Sequence, residues 1–140
     1  MSASNTPKTP YEIIEQEKEA YLEELPEPDP DWPADVQMVY RKLCERAFKL
    51  YENKAKNILS KCGIKSHDIY GRFRYFTGYG IKEWIIHHRM KLAERLLRYE
   101  SPSVTQTAMA VGYESCSGFC TTFKRKKGVN PTDIPNGSDV

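Results

Sequence analysis

The sequence predicts an all-α chain in which two helix-turn-helix subdomains are joined by a long linker helix and preceded by an acidic N-terminal arm. Three observations predict this fold. Apolar residues recur every three or four positions over most of the chain. A short helix pair with a glycine turn occurs twice, at 58–76 and 104–123, and one continuous amphipathic stretch, 81–97, lies between the pairs. Two copies of one unit on a shared helix are typical of a repeated helix-turn-helix.

Composition limits the classes of function. The chain has 140 residues, 39% hydrophobic and 29% charged, which is typical of one globular core with room for an appendage. No apolar run approaches the roughly 20 residues of a membrane helix, and the N-terminus lacks the pattern of a signal peptide. We therefore expect a cytoplasmic protein without membrane contact. No catalytic constellation or phosphate-binding loop is recognisable, so we expect neither an enzyme nor a cofactor.

Charge is distributed unevenly along the chain. Between Met1 and Asp31, nine acidic residues stand against Lys8 and Lys18, a balance of −7, so the remainder carries +9 within a net charge of +2. A basic body predicts a polyanionic partner such as nucleic acid. The acidic arm is either a solvated face or a segment that covers the basic face and competes with DNA phosphate. In the second case, deleting residues 1–31 should tighten DNA binding at low salt.

The arm and its linker occupy residues 1–32. We expect residues 1–10 to be disordered because they are small, polar and proline-bearing. The stretch Tyr11–Leu25 is predicted to be a helix with an incomplete apolar stripe among glutamates, too polar to stand alone, which either docks on the body or frays. Four prolines then end this helix in an extended linker: Pro26, Pro28, Pro30 and Pro33.

The first subdomain, residues 33–79, is predicted to contain three body helices. The first should run from about Ala34 to Tyr51, the second from Lys54 to Cys62, and the third from near Ser66 to Thr77. Gly63 separates the second from the third because glycine readily takes the left-handed backbone that ends a helix. The residues predicted to face inward on the third helix are Ile69, Phe73 and Phe76.

The linker helix is predicted over residues 80–100. From Gly80 to Tyr99 it would be roughly 29 Å long, which approaches the repeat of one DNA turn, about 34 Å. Such a helix would place two recognition helices in successive major-groove segments on one DNA face. His87 and His88 are adjacent and do not share a helix face, so we expect a surface or core placement and not a metal or catalytic role.

The second subdomain, residues 101–134, follows the break at Ser101-Pro102-Ser103. The fifth body helix is predicted over Val104–Val111 and the sixth over Ser115–Lys127, with Phe119 and Phe123 inward. A last turn at Pro131–Ile134 precedes a tail at 135–140.

Four cysteines raise the question of metal binding or disulfides. They are Cys44, Cys62, Cys116 and Cys120. Cys116 and Cys120 share a helix face, but no further ligands lie at zinc-site spacing. Because disulfides are rare in a reducing cytoplasm, we expect free thiols and no metal site.

With these elements assigned, residues 57–134 resemble the DNA-binding domain of the AraC/XylS family of bacterial transcription regulators, a homeodomain-like double helix-turn-helix. The resemblance lies in the first turn, the linker helix and the second subdomain. The residues that carry it are Cys62-Gly63-Ile64, Phe73, Thr77-Gly78, Trp84-Ile85, Arg89-Met90, Ala93, Leu96-Leu97, Ala108, Val111-Gly112-Tyr113, Phe119, Phe123-Lys124 and Gly128-Val129-Asn130-Pro131.

The resemblance implies which side chains face DNA. Family members that bind DNA present their third and sixth helices to the major groove. Carried over by position, the base-facing residues are Ser66, His67, Tyr70, Gly71 and Arg74 on the third helix and Cys116, Ser117, Cys120 and Thr121 on the sixth. The phosphate-binding residues are Arg72, Lys124, Arg125, Lys126 and Lys127.

The chemistry of these faces is uneven. Arg74 and Lys124 have the reach that base readout commonly uses, whereas the other predicted base-facing side chains are short or offer one hydrogen bond. Gly71 and Gly118 either allow close backbone approach to DNA or mark positions that have lost a reading side chain. Arg89 is expected to have a structural role.

Two departures from the family pattern lie in the second subdomain. Thr107 stands where a large aliphatic residue is usual, and Ile134 where an aromatic residue is usual. We therefore expect looser packing there. Most members also carry an effector-binding domain, for which this chain has no room, so it resembles the small stand-alone regulators or a fragment of a longer protein.

The sequence thus favours a sequence-specific DNA-binding transcription regulator, most simply a monomer on an asymmetric double-stranded DNA site of about two turns. A second function stays open. The helix-turn-helix body or the arm would then bind a protein, such as RNA polymerase or another regulator, with weak or no specific DNA binding. The acidic arm and the short residues of the sixth helix favour this alternative.

Overall fold

The protein is described here from a computed structural model, which covers residues 8–49 and 54–135. These residues form seven α-helices, a short 3-10 turn and no β-strand. The helices are α1 (Pro10–Glu24), α2 (Ala34–Arg46), α3 (Ala55–Cys62), α4 (Asp68–Thr77), α5 (Ile81–Leu97), α6 (Val104–Ala110) and α7 (Cys116–Lys127), followed by the turn Pro131–Asp133. The predicted all-α fold is confirmed, with body helices one to six corresponding to α2–α7.

Several boundaries differ from the prediction. Helix α2 ends at Arg46, and the predicted end at Tyr51 lies outside the described residues. Helix α4 begins at Asp68, two residues later than predicted. The linker helix α5 has 17 residues, so it is roughly 25 Å long instead of 29 Å.

The start of the arm helix has a local explanation. Thr9 accepts a hydrogen bond from the backbone N–H of Glu12, whose carboxylate accepts one from the N–H of Thr9. This reciprocal cap, with Pro10 in the first turn, starts α1 one residue before the predicted Tyr11. The predicted disorder of residues 1–10 is therefore wrong at Thr9 and Pro10, which cap and begin α1. Residues 1–7 and the tail after Pro135 lie outside the described residues.

One core runs through both subdomains and along the linker helix. Ile69 and Phe73 of the first subdomain and Phe119 and Phe123 of the second are fully buried, as predicted, and Ile58 of α3 is fully buried with them. The third residue predicted to face inward on α4, Phe76, is half-buried. The buried residues of α5 are Ile81, Trp84, Ile85, Arg89, Met90, Leu92, Ala93, Leu96 and Leu97.

Arg89 joins the two subdomains from the centre of α5. Its buried guanidinium donates hydrogen bonds to the carbonyl oxygens of Ala47 (2.7 Å) and Lys49 (3.0 Å), just beyond α2, and of Gly112 (3.2 Å), in the turn between α6 and α7. It also lies 5.3 Å from the centre of the Tyr113 ring. The expected structural role of Arg89 is therefore observed, with backbone carbonyls as its partners.

Helix α1 docks on the body. Tyr21 is buried between the rings of Phe48 and His88, and its hydroxyl lies 2.5 Å from Nδ1 of His88. Arg95 of α5 forms ion pairs with Glu17 (3.0 Å) and Glu24 (2.7 Å) of α1. Of the two predicted alternatives for this helix, docking is therefore the one that the structure adopts.

No helix within residues 8–49 and 54–135 is long and apolar enough to cross a membrane.

Candidate nucleic-acid interface

The start and outward face of α4 carry five of the predicted base-facing residues. Tyr70, Gly71 and Arg74 are exposed on the helix, and Ser66 and His67 are exposed just before it. The rings of His67 and Tyr70 stack at 6.2 Å, and Arg74 forms an ion pair of 2.9 Å with Glu83 at the start of α5. A ligand that draws Arg74 away must therefore compete with this carboxylate.

Tyr75 is a member of this face that the sequence analysis missed. Its side chain is 81% exposed, with the ring edge against Phe76. Tyr75 follows Gly71 by four residues, so helical spacing places the two on one face. This four-residue spacing from Gly71 is the sequence signal that identifies Tyr75. The tyrosine offers both an aromatic surface and a hydroxyl beside Arg74.

The predicted phosphate-binding role of Arg72 faces a competitor. The guanidinium donates two hydrogen bonds to the carboxylate of Asp35 in α2, at 2.6 and 2.8 Å. The hydrogen bond from Arg72 lowers the pKa of Asp35, so the pair stays ionised near neutral pH. Its present geometry ties α4 to α2, and phosphate contact by Arg72 stays a prediction.

Helix α7 presents its predicted residues in two groups. Ser117, Thr121 and the basic side chains Lys124, Arg125 and Lys126 are exposed. Cys116 and Cys120 are half-buried on the flank of the helix, with their Sγ atoms 3.7 Å apart. Lys127 is half-buried, and its ammonium group lies 3.2 Å from the carboxylate of Glu94 in α5. The central part of the face is thus made of Ser117, Thr121 and Lys124.

The two candidate recognition helices contact the same side of α5. Glu83 pairs with Arg74 of α4, and Glu94 pairs with Lys127 of α7. Eleven residues separate the two glutamates, which is close to three helical turns, so both project from one side of α5. A shallow cavity between the ends of α4 and α7 is lined by Tyr79, Glu83, His87, Met90, Lys126 and Lys127. The last turns of α4 and α7 therefore border one surface of the molecule.

The acidic arm contacts another side of α5. On α5, His88 contacts Tyr21, and Arg95 pairs with Glu17 and Glu24. At 100° per residue, His88 and Arg95 lie about 100–140° around the helix axis from Glu83 and Glu94. The paired arm carboxylates are thus directed to Arg95 and not to the lysines of α7. This placement gives no support to the hypothesis that the arm covers the basic face.

Comparison with known proteins places the chain in a family. A helix-turn-helix domain family matches residues 58–136, more than half of the chain. A putative AraC-like transcription regulator of Streptomyces antibioticus is 33% identical over 76 residues, 54% of this chain and 25% of that protein. The transcriptional activator RhaS of Escherichia fergusonii is 27% identical over 83 residues, 59% of this chain and 30% of that protein. The chain therefore spans at most about a third of the length of these two relatives.

Solved structures share the fold. The C-terminal domain of AraT, a response regulator from Geobacillus stearothermophilus, superposes with a TM-score of 0.69 at 17% identity, covering 78% of this chain and 92% of that domain. The DNA-binding domain of AdpA in complex with a target DNA has a TM-score of 0.60 at 24% identity, covering 69% and 85%. The match to the helix-turn-helix family over more than half of the chain, together with the AraC-like relatives, establishes that the chain belongs to the AraC/XylS family and carries its DNA-binding domain.

Proposed function

We propose that this protein is a sequence-specific DNA-binding transcription regulator that inserts α4 and α7 into successive segments of the major groove. One observation carries the proposal. The contacts of Glu83 with Arg74 and of Glu94 with Lys127 hold the two exposed helices on one side of α5. Two helices on one face of a rigid rod are the arrangement that reading one face of a duplex requires.

The exposed residues fall into two groups, one that contacts base edges and one that contacts phosphates. Arg74 has the planar donor fork that binds the O6 and N7 atoms of guanine, and Thr121 offers a hydroxyl and a methyl group for a base edge. Lys124, Arg125 and Lys126 are exposed at the end of α7 and can neutralise phosphates, which gives affinity without sequence information. Since the faces of α4 and α7 differ in chemistry, the expected site is asymmetric and one chain suffices to fill it.

Selection from random duplex DNA by the full chain tests this function. We expect an enriched motif with two blocks separated by one helical turn, about 10–10.5 base pairs. A variant with Lys124, Arg125 and Lys126 all changed to alanine should recover little DNA, whereas the matched control Arg41→Ala, an exposed charge on α2, should enrich the same motif as the original chain. Recovery of DNA without any enriched motif would contradict sequence-specific reading.

A second candidate function is binding of a protein partner, such as RNA polymerase, through the arm. It is favoured by the outward face of the docked helix α1, where Glu12, Glu15, Glu19 and Glu23 are all exposed. We expect a variant with Glu15, Glu19 and Glu23 changed to glutamine to keep DNA binding but to lose a protein that co-purifies with the original chain. Co-purification that is unchanged in this variant would contradict the role of the arm.

A further inference from the structure

Gly71 has no packing role within the described part of the chain. It lies exposed in the interior of α4, where an added Cβ atom would have nothing within 4 Å. Its backbone is helical and has no positive φ, so any residue could adopt it. Glycine nevertheless weakens a helix relative to alanine. What this glycine changes is therefore the shape of the outward face of α4.

The neighbours of Gly71 along this face are aromatic. Residues four apart are neighbours on a helix surface, which places His67 before Gly71 and Tyr75 after it. The ring of Tyr70 stacks on that of His67 at 6.2 Å, and Tyr75 is 81% exposed. Gly71 thus leaves a gap between the stacked pair and Tyr75, and we call this gap the Gly71 notch.

The charged neighbours of the notch are held away from it. Arg74 pairs with Glu83 at 2.9 Å, and a Cβ atom added at Gly80 would lie 2.9 Å from Nη2 of Arg74. The guanidinium therefore lies over the start of α5. Asp68 is turned to the start of α4, where its carboxylate accepts a hydrogen bond of 2.5 Å from Ser66. The notch itself is lined by aromatic rings and by helical backbone whose polar groups are already paired.

Such a lining distinguishes between base edges. In the major groove, guanine, cytosine and adenine present hydrogen-bonding groups, whereas thymine also presents its 5-methyl group. A paired helical backbone offers no hydrogen bond to the first three bases. A methyl group needs none and is stabilised by contact with apolar and aromatic surface. The shape and the chemistry of the notch therefore match thymine.

We propose that the Gly71 notch receives the 5-methyl group of a thymine, so that α4 selects thymine at one position of its part of the DNA site. The inference rests on the proposed function, because it requires α4 to lie in the major groove. Gly71 lets the helix backbone approach the base edge, and the rings of Tyr70 and Tyr75 flank the methyl group. Arg74 can read a neighbouring base once it leaves Glu83.

Replacement of thymine by uracil tests the notch, because deoxyuridine lacks the 5-methyl group and keeps the hydrogen bonds of thymine. The duplex is the motif selected by the full chain, and the α4 block is the one whose base preference Arg74→Ala changes. At one thymine of this block, uracil should weaken binding by the original chain about fourfold, the effect of one buried methyl group.

Filling the notch should remove this discrimination. Gly71→Leu should bind the thymine and uracil duplexes equally, and Gly71→Ala should show a ratio below about twofold. The matched control is Gly118→Ala, at an exposed glycine of α7, which should keep the fourfold ratio at this thymine. Uracil at thymines outside the two blocks should change binding by none of these proteins.

Three outcomes would overturn the inference. They are a two-block motif without a thymine preference in the α4 block, a thymine-to-uracil ratio near one for the original chain at every thymine of that block, and an unchanged ratio in both Gly71 variants. Each of these leaves the proposed function standing, whereas a selection without any motif removes both. Alanine and leucine favour helix over glycine, and circular dichroism checks that the variants are folded. If Gly71→Leu binds neither duplex, Gly71→Ala gives the decisive ratio.

Discussion

The guanidinium of Arg89 lies against Gly112, to which it donates a hydrogen bond of 3.2 Å. Gly112 has φ +110°, and a Cβ atom added there would lie 2.7 Å from the guanidinium carbon. Glycine is therefore required at position 112 for two reasons. Its backbone conformation is one that residues with a side chain rarely adopt, and the guanidinium of Arg89 occupies the space that a side chain would need. Through this contact the turn of the second subdomain is fitted to the centre of the linker helix.

Gly112→Ala should destabilise the protein by about 2–4 kcal/mol, because it adds backbone strain to a clash with a buried side chain. Denaturant unfolding measures the change. The control is Gly71→Ala, in the interior of α4, where an added Cβ atom has nothing within 4 Å. That variant should be more stable than the original chain by about 0.5–1 kcal/mol, since alanine favours helix. Equal stability of the two variants would contradict the argument.

Thr107 carries a second stability prediction. The residue is fully buried in α6, and its hydroxyl is a buried side-chain oxygen without a hydrogen-bond partner within the described part of the chain. Thr107→Val replaces the hydroxyl with a methyl group of similar size and should raise the free energy of unfolding by about 1 kcal/mol. Thr105→Val, at an exposed position of the same helix, should change it much less. A loss of stability in Thr107→Val would show that the hydroxyl has a favourable role.

His88 predicts a pH dependence of stability. Burial, followed by the nearby charges of His87 and Lys91, lowers the pKa of His88 to about 4. The unfolded chain, with a histidine pKa of about 6.5, then binds a proton that the folded chain does not. Stability is therefore lost as pH falls from about 6.5 towards 4. Because the ring is partly exposed, we expect a loss of about 1 kcal/mol between pH 7 and 5.

The test compares the original chain with His88→Gln, whose amide can also form a hydrogen bond with the hydroxyl of Tyr21. The free energy of unfolding should fall less between pH 7 and pH 5 in the variant than in the original chain. All other titratable groups are common to both proteins, and His88 is present only in the original chain. Parallel curves would show that His88 does not contribute.

Arg95 should control the docking of the arm. It holds Glu17 and Glu24 and lies 5.3 Å from the centre of the Tyr21 ring. Arg95→Gln should weaken docking by about 1 kcal/mol, since the ion pairs are partly exposed. Amide hydrogen exchange within α1 should then accelerate about fivefold. The control Arg98→Gln removes the ion pair between Arg98, the residue that follows α5, and Glu94 of α5, and should leave exchange in α1 unchanged.

DNA variants should separate base reading from phosphate contact. Arg74→Ala should cost about 1–3 kcal/mol on the preferred duplex and much less on other sequences, and Thr121→Ala should likewise relax base preference. Lys126→Ala should weaken binding to all duplexes alike and reduce the salt slope by about one. Titrations at two or more salt concentrations on specific and scrambled duplexes measure both effects. Uniform weakening by Arg74→Ala would assign that side chain to phosphate.

Local patterns explain why the sequence predicted the helices well. Apolar spacing identified the inward faces of α4 and α7, and Gly63 and Gly112 marked the two turns, each with the positive φ that glycine permits. The end of α2 was predicted less well. Ala47 and Phe48 continue the apolar pattern and are buried, but they lie in a turn beyond Arg46. The spacing of apolar residues predicts which residues are buried, but it does not distinguish a helix from a buried turn.

Long-range pairing explains most of what the sequence did not predict. Arg72 was assigned to phosphate on its position, but its partner Asp35 lies 37 residues earlier. The arm helix meets His88 through Tyr21, 67 residues away. Charges of opposite sign occur throughout the chain, so their number alone does not determine which of them pair.

The sequence by itself determined the helix order, the repeated turn and the family, because these depend on residues close together in the chain. Only the tertiary structure decided that Arg89 binds the carbonyls of both subdomains and that the arm packs against the side of α5 carrying His88 and Arg95. These features depend on where packed helices come to rest against one another. Burial of the shared apolar stripes sets that geometry, and no spacing within a single helix records it.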